Sequence, residues 1–128
     1  MTSMRNLSFI LSEIGSAMDA LLDLAGKKSD VLVERNIAGL EKLIPSEQDL
    51  VVKLEALEKE RRAAAAEMTG PDSPEIDRLR QSLKEKAKRI AETNERNRGL
   101  LRRGLDIVQY ELKLFFQEGK PLVFDHRV

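Results

Sequence analysis

Metal and acid–base chemistry in this 128-residue chain would rest mainly on carboxylates, amines and a single imidazole, because cysteine is absent. The imidazole, His126, stands two residues from the end without a helical His-to-carboxylate spacing nearby. It reads as a solvated tail histidine, neither a metal ligand nor a general base. Carboxylates are plentiful, but a carboxylate-bridged metal centre in a helical bundle pairs glutamates with Glu-x-x-His on facing helices, and the histidines for that do not exist. Thiolate zinc sites, disulfides and thiol catalysis are excluded outright. The seven glycines, at 15, 26, 39, 70, 99, 104 and 119, never gather into a phosphate-cradling loop or a dinucleotide fingerprint. The expectation is binding without catalysis, with no metal and no cofactor.

Two other constellations stand out as binding features. Asn94 and Asn97 fall inside an apolar stripe where leucines would be expected. A core amide costs stability, yet it can set helix register through hydrogen bonds that only the correct arrangement satisfies. Further on, Leu100, Leu101, Leu105, Ile107, Val108, Tyr110, Leu112, Leu114, Phe115 and Phe116 fill ten of seventeen positions, a segment apolar nearly all round. Such a segment must be enclosed by its own bundle, by a second copy of the chain or by a client. Four of the five aromatics lie between Tyr110 and Phe124, which makes this end the best candidate contact surface. The competing expectation is that these side chains close the core against Phe9 and Ile10.

The elements that position these residues are helices. Leu7, Leu11, Ile14, Met18, Leu21, Ala25, Lys28 and Leu32 step by fours and threes, with Ile10, Ala17, Leu24 and Val31 beside them. This predicts a helix over about 5–35, capped by Ser3 or Asn6 and ending in a turn around Asn36. A second helix over about 38–68 carries Leu40, Leu43, Glu47, Leu50, Leu54, Leu57, Arg61, Ala64 and Met68 at heptad spacing, widened by Ile44 and Val51. Pro45 leaves two options, a kink or a true start at that residue. Thr69 to Pro74 combines a helix-ending glycine with Ser73 as cap and Pro74 in the first helical position. The third helix, about 74–117, presents Ile76, Leu79, Leu83, Ala87, Ile90, Asn94, Asn97, Leu101, Leu105, Val108, Leu112 and Phe115 on one face. It is longer than either partner and should overhang. Residues 118–128 read as a short extended tail. The fold class is all-α, an antiparallel bundle of three long helices in one domain, with coiled-coil-like packing.

Charge narrows the partners. Twenty-two basic and twenty-two acidic residues cancel, which removes any overall pull toward nucleic acid or acidic membranes. Residues 1–60 hold seven basic and eleven acidic side chains, whereas 75–103 hold ten and five, so helix three should answer an acidic hairpin. Nucleic-acid binding along that basic helix lacks base-stacking aromatics, and glutamates interleave with the cations. No signal peptide is expected, and no stretch approaches the roughly 20 uncharged apolar residues of a membrane span. A soluble protein of the cytoplasm is the expectation.

Four phrases stand together in this chain: Leu21-Leu22-Asp23-Leu24 through Leu32, the Asn36 to Leu43 turn, Leu54-Glu55-Ala56-Leu57-Glu58-Lys59-Glu60-Arg61, and Asn94-x-x-Asn97-x-x-Leu100-Leu101 followed by an apolar end. In them the chain resembles the FlgN-type flagellar export chaperones over about residues 7 to 116. The resemblance implies a cytoplasmic chaperone of flagellar type III export, which holds hook-filament junction proteins unassembled by their terminal helices and delivers them to the export apparatus. Client-binding residues would be Leu101, Leu105, Val108, Leu112 and Phe115, with Phe116 at the edge. Tyr110, the only tyrosine, is where contact with the export machinery would be tested. Pro121 to Val128 departs from the pattern and leaves the end of the binding segment open. A homodimer is a further option. The alternative function is a self-associating structural coiled-coil component of the export apparatus.

Overall fold

A computed structural model describes residues 6–117, except the side chains of Glu111, Phe115, Phe116 and Gln117. The extended tail expected at 118–128 lies outside the described residues. Three helices follow one another: α1 (Leu7–Val33), α2 (Ile37–Ala66) and α3 (Pro74–Gln117).

Each helix end is closed by the residues that its local sequence supplies. Asn6 caps α1, its Oδ1 accepting the Ser8 N–H at 2.9 Å. At the other end the Asn36 N–H donates to the Val31 carbonyl at 2.8 Å and the Arg35 N–H to that of Leu32 at 3.2 Å. This bond pair needs a left-handed residue, and Arg35 takes that role with φ 55°. Asn36 then works a second time, its Oδ1 accepting the Gly39 N–H at 2.9 Å to cap α2. A Cβ on residue 39 would sit 2.7 Å from Asn36 Nδ2 and 2.9 Å from Val31 Cγ1, so glycine is what lets this turn close. Gly70 at φ 86° and the Ser73 hydroxyl, which accepts the Ile76 N–H at 3.3 Å, make the second connection. Glu75 and Asp77 occupy the first turn of α3, where the helix dipole favours negative charge. Because α2 begins at Ile37, it runs through Pro45.

The three helices form an all-α bundle with α1 in the middle. It packs against both α2 and α3, whereas the α2 and α3 backbones make no close approach to one another among the described residues. The Lys28–Glu47 ion pair at 2.9 Å ties the antiparallel hairpin. The third helix runs parallel to α1, as Lys86 meets Asp19 at 2.9 Å and Asn97 meets Ala25 at 3.0 Å.

The core gathers where α1 begins: Leu7, Ile10, Leu11, Ile14 and Ala17 bury against Leu57 and Ala64 of α2 and Ile76 of α3. Met18, Leu50, Leu54, Leu79 and Leu83 pack around that cluster. Each fully buried leucine or isoleucine contributes roughly 1.5–3 kcal/mol. Away from this end burial falls off. No residue of α2 before Leu57 is buried, and Ile44 and Val51, expected to widen its stripe, stand exposed. A hairpin packed on one helix alone covers a single stripe, so the second row stays in water. On α2, Arg61 grips both oxygens of Glu58 at 2.7 and 2.6 Å, and Arg62 adds a third bond at 3.2 Å. Chiefly through the Arg61 hydrogen bonds, the Glu58 carboxyl is held below its usual value and the Arg61 guanidinium above its own.

Candidate functional site

At 1.5 Å per residue, the 27 residues of α1 span about 40 Å and the 44 of α3 about 66 Å. Because the pairs Lys86–Asp19 and Asn97–Ser29 differ by 67 and 68 positions, Leu101 lies level with Val33, the last residue of α1. Past that level α3 continues to Gln117, a projection of roughly 25 Å.

The last lock before the projection is polar. The Asn97 amide donates from Nδ2 to the Ala25 carbonyl at 3.0 Å, and the Ser29 hydroxyl lies 2.5 Å from its Oδ1 and 3.1 Å from the Ala25 carbonyl. Arg96 closes the group, donating from Nη2 to Ser29 Oγ at 3.0 Å. Asn97 and Ser29 are both buried. Asn94, expected in the core beside Asn97, is instead exposed. Three residues turn about 300°, which leaves Asn94 some 60° off the line facing α1, and this interface is too narrow to cover both. Ala87 is exposed for the same reason. Ser29 was not foreseen, since only the register of α3 on α1 brings it to Asn97.

Beyond the lock α3 runs on past the end of α1, and apolar residues there stand in water. Leu101 is 44% exposed, Leu105 62% and Val108 37%, while Leu112 is partly covered. Tyr110 stands on another side of the helix and is also exposed. The side chains of Phe115 and Phe116 lie outside the described residues. Leu101, Leu105, Val108 and Leu112 do not close the core against Phe9 and Ile10. Ile10 is buried in the cluster at the start of α1, and with α3 parallel to α1 the stretch from Leu101 onward lies at the opposite end. Val33 and Ile37, at the tip of the hairpin on that same end, are exposed apolar residues that belong to none of the predicted stripes.

The cations of α3 answer the hairpin at few points. Lys86 reaches Asp19 and the Gly15 carbonyl, at 2.9 and 3.5 Å. Arg80 approaches Asp72 at 2.9 Å without hydrogen-bond alignment, and Arg98 pairs within α3 with Glu95 at 3.4 Å. Among the described residues no helix is long and apolar enough to cross a membrane, and no group of three or more His, Cys, Asp or Glu side chains could hold a metal ion.

What the arrangement can do is receive a helix. An apolar helix end extending past its neighbour offers ready-made knobs and holes to any amphipathic segment. Comparison with known proteins gives the family. The family model described as FlgN protein matches residues 1–123. No match was found among curated proteins or among solved structures. Spanned by that model over all but its last five residues, the chain belongs to the FlgN family of flagellar export chaperones.

Proposed function

We propose that this protein works in the cytoplasm, holding the helical terminal segment of a hook-filament junction protein on the projecting end of α3, keeping it unassembled and delivering it to the export apparatus. The observation that carries this reading is the stretch of α3 that runs past the end of α1, with Leu101, Leu105 and Val108 left in water. Terminal helices that order only on polymerising need a substitute neighbour before assembly, and an exposed helical row supplies one. Leu101, Leu105, Val108, Leu112 and Phe115 are assigned to the client, with Phe116 at the edge, and Tyr110 to the export machinery.

Val108→Asp and Leu112→Asp test the assignment. A carboxylate forced into an apolar helix seat should weaken capture of the client's terminal-helix peptide by on the order of 100-fold, about 3 kcal/mol, with helicity by circular dichroism unchanged. Loss of helicity together with binding would make these ordinary core residues. Sedimentation decides against the structural alternative if chain and client form a discrete heterodimer, and in its favour if the chain self-associates and ignores the client.

A further inference from the structure

The open side of the bundle and the projecting end of α3 fit one another. On α1, Gly15, Asp19 and Ser29 meet α3, whereas Lys28 and Val31 meet α2. At 100° per residue those two directions lie roughly 120° or more apart. The neighbours of α1 therefore leave a notch between them, with Met18, Leu21 and Leu32 as its partly covered floor. Along α2, Ile37, Ile44 and Val51 follow at heptad spacing and are exposed, as are Ala87, Asn94 and Leu101 along α3. With α2 antiparallel and α3 parallel to α1, right-handed winding turns both rows toward the notch. The other side of the α1–α3 seam is charged, lined by Asp19, Asp23, Asp30 and Arg96.

The projection has the apolar surface for a three-sided seat. Over residues 100–114, an arc of ~180° runs from Leu114 and Ile107 through Gly104 and Val108 to Leu112 and Leu105, and Glu111 is the one charged position inside it. A helix lying on a single neighbour needs a stripe of roughly 100°. The remaining arc holds Arg102, Arg103, Asp106, Gln109, Tyr110 and Lys113. Lengths agree as well: the projection extends about 25 Å past the hairpin tip, and the exposed row of α2 descends about 21 Å from that tip to Val51.

Symmetry joins the two surfaces. Seen down α1, the notch is the position next to α3. A twofold axis through the end of α1, perpendicular to it and bisecting the angle between α3 and the notch, exchanges those positions. Each projection then runs down the notch of the other copy, flanked there by α1, α2 and α3. Half the circumference of a 25 Å helix is on the order of 400 Å², so two seats bury about 1,600 Å² over both surfaces, above the roughly 1,200 Å² of a specific interface. An unrelated helix would cover the projection or fill the notch, whereas a second copy does both.

We infer that the chain pairs with a second copy of itself by reciprocal exchange, the α3 end of each lying in the notch of the other. The pairing does not rest on the client reading; where that reading holds, client and second copy compete for one end of α3. Ile44 and Ile107 both lie about 10 Å from the hairpin tip, so the exchange sets each beside the other on the opposite copy. The chain has no cysteine, which lets Ile44→Cys and Ile107→Cys each carry a single thiol. Oxidised as a mixture, these two full-length variants should give at least fivefold more covalent dimer than either alone. In sedimentation the parent chain should be a dimer at micromolar concentration, and Ile44→Asp with Val51→Asp should raise its dissociation constant at least tenfold. Amide exchange over 37–51 and 101–114, fast in the dilute chain, should slow as concentration enters the dimer range. A parent chain that stays monomeric at tens of micromolar overturns the inference. So does a dimer whose mixed thiols crosslink no better than either variant alone, since the copies would then meet elsewhere. Neither measurement uses a client, so failure of the client seat leaves both outcomes readable.

Discussion

Asn97 has both ends of its amide engaged on α1, by the Ala25 carbonyl and the Ser29 hydroxyl, in a buried setting. Removing one partner of a buried hydrogen-bonded pair costs the desolvation of the group left behind. Asn97→Ala should therefore lower stability by about 1–3 kcal/mol, read as a lower urea midpoint, whereas Asn94→Ala should stay within about 0.5 kcal/mol. Equal effects at the two positions would contradict the placement of Asn94 outside the interface. Spacing alone puts the two asparagines in one stripe, and only the narrowness of the α1–α3 contact separates them. Single-residue features that act through local geometry were more legible. The capping asparagines and Ser73 announce themselves because a side-chain acceptor satisfying helix-end N–H groups needs no tertiary neighbour.

At the scale of the element, α2 is the helix with the least support. It has a proline inside it, and its buried residues are Leu57 and Ala64, both in its second half. Proline within a helix removes one backbone bond and crowds the preceding turn, at a cost of roughly 3 kcal/mol against alanine. Pro45→Ala should raise thermal stability by about 1–3 kcal/mol and increase the helical signal. No gain would mean that the first half of α2 does not hold its helix in solution. Periodicity identified the heptad row of α2 down to Leu57 and Ala64. It also promised burial for Ile44 and Val51, which would need a helix on a second side of α2, and among the described residues the α3 backbone makes no close approach there.

For the molecule as a whole, the polarity of the core matters most. Buried aliphatics cluster where α1 begins, and exposed ones gather at the opposite end, on Val33, Ile37 and α3 beyond Leu101. Local opening follows the density of buried contacts. Amide exchange should be slowest around Ile10 to Ala17 and Leu57 to Ala64, and fastest along 37–50 and 101–117. Client binding should slow exchange over 101–117. Uniform protection in the free chain would contradict the polarised core. By itself the sequence determined that the chain forms three helices and which residues cap them, because capping and the 3.6-residue period act within a few residues of one another. Only the tertiary structure decided that α1 is the shared neighbour, that α2 and α3 stay apart, and where along α3 its cover ends. Rows of leucines at the same spacing are interchangeable as partners, and their register is chosen by long-range contacts such as Lys86 with Asp19 and Asn97 with Ser29.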